Sequence, residues 1–216
     1  MNEEKLTRII GHADMCELLA RLFAFPDAEL ASALRDGSVF SDLRNCLLDA
    51  GYESEVEKLS VANQVSVDLP ILRREYTRLY MKPGRPEIFP YESAFLHCQM
   101  GREGAPALFK TSVTLDVESQ MKASGVVPDN VRREPCDSIW EEFTFLSYLY
   151  GKMAASLYEG CSKGFDVWQE RLQRFATEHA CCWIPSFLES TALKSQSFYA
   201  EIANIALPFA KGITAW

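Results

Sequence analysis

Along this 216-residue chain apolar residues return at intervals of three or four, and no run alternates as a half-buried strand would. Leu6, Ile9, Ile10, Ala13, Leu18, Leu19, Leu22 and Phe23 predict an amphipathic helix over residues 3–25, ended by Pro26. Asp27 can cap a short helix through Arg35 that Gly37 stops, and short helices fit 39–50 and 53–66 on either side of Gly51. Pro70 opens the helix that carries Glu75 to Tyr80. Residues 105–124 fit another, weakened in its middle by Thr111, Val113, Thr114 and Val117 and capped by Gly125. Ser138 followed by Glu141 is a capping-box pattern ahead of the stripe Ile139, Phe143, Leu146, Leu149, Tyr150, Met153 and Leu157. Trp168, Leu172 and Phe175 mark the next helix, Pro185 begins a short one, and Phe198, Ile202, Ile205, Phe209 and Ile213 mark a C-terminal one. The expected fold is therefore all-α, a globular multi-helix bundle of two closely packed lobes, about 1–125 and 138–216. A hinge-like connector, VVPDNVRREPCD at 126–137, would join them.

The stretch REYTRLYMKPGRPEIFPYESAF, residues 74–95, points to recognition. Pro83, Pro86, Pro90 and Gly84 make it neither helix interior nor central strand, because proline lacks a donor and fixes φ. A semi-rigid loop edged by Tyr91 and Phe95 and placed by a flanking helix is suited to meeting a partner.

Composition narrows the classes. An apolar content of 48% gives enough material for a core, and no apolar run approaches the roughly 20 residues that cross a bilayer, so a membrane protein is not expected. MNEEKLTRII has acids where a secretory signal is positive, which predicts a cytoplasmic protein. Seven scattered cysteines without a CxxC fit reduced thiols. A net charge of −8 disfavours nucleic acid and favours cationic partners.

Motifs for catalysis are lacking. There is no GxSxG elbow and no phosphate-cradling glycine loop, and the three histidines offer few general bases. His12 with Cys16, and His179 with Cys182, have spacings that could place two ligands on one helix face, but such coincidences are common, and no cofactor or metal is expected. Adjacent Cys181 and Cys182 read as a packed helix junction. The chain is not expected to be an enzyme.

Four blocks, in order, resemble the TorD/DmsD-like cytoplasmic chaperones of molybdenum-containing oxidoreductases. LARLFAFP at 19–26 looks like the end of that family's first helix, and REYTRLYMKPGRPEIFPYESAFL at 74–96 is similar to its (D/E)YTRLF helix, proline loop and P-aromatic-x-S segment. EPCDSIWEEFTFLSYL at 134–149 resembles the P-x-D-H signature, with Ser138 where the family has histidine. HACCWIPSF at 179–187 and FYAEIANIALPF at 198–209 match the C-terminal helices. The resemblance implies a chaperone that binds the twin-arginine signal peptide of an apo molybdopterin-dependent oxidoreductase and delays export until cofactor insertion, as a monomer or a helix-exchanged homodimer. It places peptide contacts on Tyr76, Tyr80, Tyr91, Glu92, Ser93, Phe95, Glu134, Asp137 and Ser138, with Tyr76, Tyr80, Tyr91 and Phe95 facing a groove and Glu75, Glu92, Glu134 and Asp137 on its rim. The rival readings are a nucleotide- or small-molecule-binding protein and a structural subunit of an anaerobic oxidoreductase.

Overall fold

In the computed structural model, residues 2–57, 59, 68–83, 85–127 and 134–213 are described. Helix α1 (Asn2–Phe23) is followed by α2 (Ala28–Asp36), α3 (Ser38–Ala50) and the single turn α4 (Glu53–Val56). Then come α5 (Leu69–Tyr76), which widens into a π turn at Thr77–Met81, α6 (Glu92–Gln99) and α7 (Ser112–Ala123). The last four are α8 (Ile139–Tyr158), α9 (Ser162–Phe175), α10 (Cys181–Lys194) and α11 (Phe198–Lys211), with a second π turn, Ala176–Ala180, between α9 and α10. Among the described residues no strand occurs, only an isolated bridge between Tyr91 and Ser138. The all-α expectation is met.

Local chemistry sets several helix ends. The Asp27 carboxylate accepts from Leu30 N–H at 2.9 Å and caps α2, and Gly37, at φ 81°, ends it in the left-handed conformation that only glycine adopts without strain. Ser138 Oγ accepts from Glu141 N–H at 3.3 Å at the start of α8. Two expectations are corrected. The stretch 105–111 is not helical, because α7 starts only where Thr111 and Thr114 form a reciprocal capping box. Pro185 does not begin a helix either; it lies within α10, and the chain stays helical from Ser162 to Lys194 through the π turn. The anticipated helix over 53–66 is seen at 53–56, and most of its remainder lies outside the described residues, as do Gly84 and residues 128–133 of the connector.

Helix α1 packs most extensively on α8, and also on α3; α8 packs on α9, and α10 on α11. One continuous apolar core results, running from Ile9 to Ile213 and holding Phe23, Phe143, Phe175, Trp183, Phe187, Tyr199 and Phe209. Each such side chain contributes roughly 1.5–3 kcal/mol by leaving water. The α1–α3 contact depends on Gly11, where a Cβ would stand 2.5 Å from the Ala50 amide nitrogen and 2.6 Å from the Asp49 carbonyl carbon. Backbone cannot yield as a side-chain tip can. Gly11→Ala should therefore lower unfolding stability by about 2 kcal/mol or more, read as a shifted urea midpoint with unchanged slope.

Candidate functional site

The proline loop is held from both sides. Buried Ile88 donates its N–H to Leu79 O at 2.9 Å; Arg78 pairs with Glu87 at 2.9 Å and donates to Lys194 O; Lys194 Nζ returns to Glu87 O at 2.6 Å. Where the loop ends, it is stitched to the connector. Ile139 N–H donates to Pro90 O at 3.0 Å and Glu92 N–H to Asp137 O at 2.8 Å, which makes the Tyr91–Ser138 bridge. The Asp137 carboxylate then accepts from Ser93 N–H at 3.0 Å, so that a residue 44 positions away caps the N-terminus of α6. Burial raises the Asp137 pKa, only partly opposed by the hydrogen bonds from Ser93. Asp137 Oδ1 makes no hydrogen bond to a described residue. Asp137 and Ser138 thus cap two helices from adjacent positions, Asp137 in trans and Ser138 in cis. Ser138 does the second of these jobs through its own hydroxyl.

Tyr91, Ser93 and Glu134 keep an accessible face, whereas Tyr76, Tyr80, Glu92, Phe95, Asp137 and Ser138 are buried. Tyr91 O–H donates to Glu134 Oε1 at 3.0 Å, and its ring meets Trp140 edge-on at 5.8 Å. Burial raises the Glu134 carboxyl pKa, with the Tyr91 hydrogen bond acting against it. Tyr76 donates to Phe23 O at 3.1 Å and packs on Tyr80 and Tyr199; the Tyr80 hydroxyl meets Thr191 Oγ1 at 3.0 Å; Phe95 packs between Trp183 and Phe187. Tyr76 and Tyr80 form the wall behind the loop, whereas the edge of Phe95 also lines a cavity of about 270 Å³ with Pro86, Ile88 and Phe89 of the proline loop. The acidic rim is also corrected: Glu92 and Asp137 are interior, and Glu75 is occupied by the hydroxyls of Ser195 and Ser197. Of the four acids expected there, Glu134, within the connector, is the one left with an open face and with no cation of a described residue on it.

Behind the rim lies a polar network that no local pattern in the sequence reveals. His179 meets Glu92 Oε2 through Nδ1 at 2.8 Å and Asp116 Oδ2 through Nε2 at 2.9 Å. Burial alone would lower the His179 pKa, but two carboxylates accepting from its two nitrogens outweigh that, and it is raised. Fully buried Glu142 accepts from Trp183 Nε1–H at 2.9 Å; its other oxygen makes no hydrogen bond to a described residue. Desolvation, aided by the nearby Glu92 charge, pushes its pKa well up. The block HACCWIPSF, which supplies His179 and Trp183, was a sequence signal for this region, though not for the pairing.

Beside Glu134 the connector and α7 enclose a largely apolar groove of about 540 Å³, lined by Phe109, Lys110, Thr114, Leu115, Glu118, Pro135 and Cys136. Phe109 is 43% exposed and Leu115 54%. Lys110 holds φ 56°, an uncommon conformation for a residue with a Cβ. Cys136 Sγ–H donates to Thr114 O at 3.2 Å and fixes the connector to α7.

This all-helical architecture, with its loop and connector locked together, is that of a known class. The sequence pattern described as "Nitrate reductase delta subunit" matches residues 45–189, and the chain belongs to that family, the TorD-like grouping its motif blocks resemble. A crystal structure of a protein from Archaeoglobus fulgidus, assigned to redox enzyme maturation, superposes with a TM-score of 0.52 at 19% identity, covering 91% of this chain and 92% of that one, which shows a shared fold. No curated protein matches the chain. No described helix is long and apolar enough to cross a membrane.

Proposed function

We propose that the protein is a cytoplasmic maturation chaperone that binds the twin-arginine signal peptide of an apo molybdoenzyme and holds the enzyme back until its cofactor is inserted. Family membership supports the chaperone role. The observation that carries the peptide reading is the neighbourhood of Glu134: its half-buried carboxyl accepts from Tyr91, which packs on Trp140, and the next residue, Pro135, lines an apolar groove with Phe109 and Leu115. A twin-arginine signal has the complementary form, a cationic head followed by an apolar stretch. In this reading Glu134, Tyr91 and Ser93 meet the peptide, while Asp137, Ser138, Glu92, Tyr76, Tyr80 and Phe95 fix the shape of the surface.

Calorimetric titration with the signal peptide of a molybdoenzyme encoded nearby should show saturable binding. Tyr91→Ala and Glu134→Gln should each weaken it about tenfold, or roughly 1.4 kcal/mol, and the Glu134 effect should shrink at high salt. Absence of heat or fluorescence change at about 10–50 μM of any cognate peptide, which corresponds to binding weaker than roughly −6 kcal/mol, contradicts the reading. The family description favours one alternative, a subunit that stays with the finished enzyme.

A further inference from the structure

We propose that His179, Asp116 and Glu178 form a binding site for one divalent transition-metal ion. One ligand atom from each lies within 4.8 Å of the others, and His179 Nε2 and Asp116 Oδ2 are 2.9 Å apart, near the roughly 3.3 Å edge of a tetrahedron with metal–ligand bonds of about 2.0 Å. The three come from two elements. Asp116 lies one turn before Gln120 on α7, and the Gln120 amide donates to Asp116 at 2.9 Å and to Glu178 at 2.8 Å. Glu178 and His179 are successive residues that would diverge on an ordinary helix. Here they sit in the π turn Ala176–Ala180 and both face α7, Glu178 accepting from Gln120 and His179 meeting Asp116. Such π insertions recur where a helix must redirect side chains for a task.

A second observation separates this cluster from a surface ion pair. His179 is 4% exposed, and its Nδ1 is held by Glu92, itself 2% exposed, leaving Nε2 aimed at the two outer carboxylates. A buried carboxylate behind an imidazole whose far nitrogen faces oxygen ligands is the support that metal-bound histidines use to fix ring orientation. Asp116 and Glu178 side chains are about half exposed, which leaves a path of entry from solvent. An imidazole and two carboxylates suit Zn²⁺, Co²⁺ or Ni²⁺ better than the all-oxygen preference of Mg²⁺ or Ca²⁺. On binding, the ion takes the position of the Nε2 proton, which leaves to solvent, and Arg174, now 2.9 Å from Glu178, gives up that oxygen. Cys182 is not a ligand: its thiol donates to the Thr177 and Glu178 carbonyls.

The test is a Co²⁺ titration of the full chain under reducing conditions, followed by visible absorption and calorimetry, with melting curves recorded in the presence of Zn²⁺. One saturating site with d–d bands and no sulfur-to-cobalt charge transfer is expected. Glu178→Gln and Asp116→Asn, which alter half-exposed side chains, should each weaken binding at least tenfold and remove the Zn²⁺-induced rise in Tm; Glu92→Gln should weaken it about 10–100-fold. The proposal is overturned if the wild-type chain shows no saturable binding, if these variants bind as tightly as wild type, or if thiolate charge transfer places the ion on cysteine.

Discussion

Replacing Glu142 with glutamine is expected to stabilise this protein, and to do so more strongly the higher the pH. Glu142 is fully buried, accepts from Trp183 Nε1–H and lies near the Glu92 and Asp137 charges, and its carboxyl pKa is raised well above the ordinary 4.5. For a carboxyl raised in the folded state, the stabilising proton is bound in both states below pH 4.5. Above that value the unfolded chain releases it while the folded chain keeps it. Stability therefore falls by about 1.4 kcal/mol for each pH unit from 4.5 up to the folded pKa. Glutamine is nearly isosteric with the protonated acid, its oxygen can accept from Trp183 Nε1–H, and it releases no proton. Urea unfolding of wild type and Glu142→Gln at about pH 5 and about pH 8 should give a gap that widens with pH. Equal gaps at both values would mean that Glu142 is ionised in the folded protein.

The second large effect runs in the opposite direction along the pH scale. His12 is 2% exposed on α1, its ring among those of Tyr52, Tyr150 and Phe209, and its Nδ1–H donates to Arg8 O at 2.7 Å. Burial lowers its pKa from 6.5 to about 4. A depressed histidine contributes stability that is complete above the unfolded pKa and is lost as pH falls through the folded one. Between pH 6.5 and 4 the unfolded chain takes up a proton that the folded chain refuses, a difference of 2.5 units that amounts to about 3 kcal/mol. His12→Phe should flatten the loss of stability over that interval, at the cost of the bond to Arg8 O. If wild type and variant lose stability in parallel from pH 6.5 to 4, the imidazole titrates normally in the fold. With Glu142 opposing high pH and His12 opposing low pH, stability is greatest between the two.

Helix boundaries were legible where a cap or a glycine writes them locally: Asp27 and Gly37, Gly51, Ser138 with Glu141. Where the outcome depends on partners far along the chain, the sequence was silent. The π turns at 77–81 and 176–180 carry no composition of their own, and Pro185 looks like a helix start until the helix running in from Ser162 is seen. The same holds at the candidate site. Its residues were named from their motif blocks, but their division into interior and surface was not visible, because Glu92 is buried only by virtue of His179, 87 positions away, and Asp137 only by capping a helix 44 positions earlier. Acidic character suggested a rim. Pairing, which decides whether an acid can be buried, is a property of the fold.

The central claim is that this chain recognises an unfinished oxidoreductase and parts from it once the enzyme is complete. Native pull-down from cells grown with and without molybdenum-cofactor synthesis tests it directly. The account predicts that the client is recovered in its apo form, most abundantly when cofactor synthesis is blocked, and that the cofactor-loaded enzyme is absent. Recovery of the loaded enzyme in a fixed ratio with this chain would contradict it and identify a resident subunit instead.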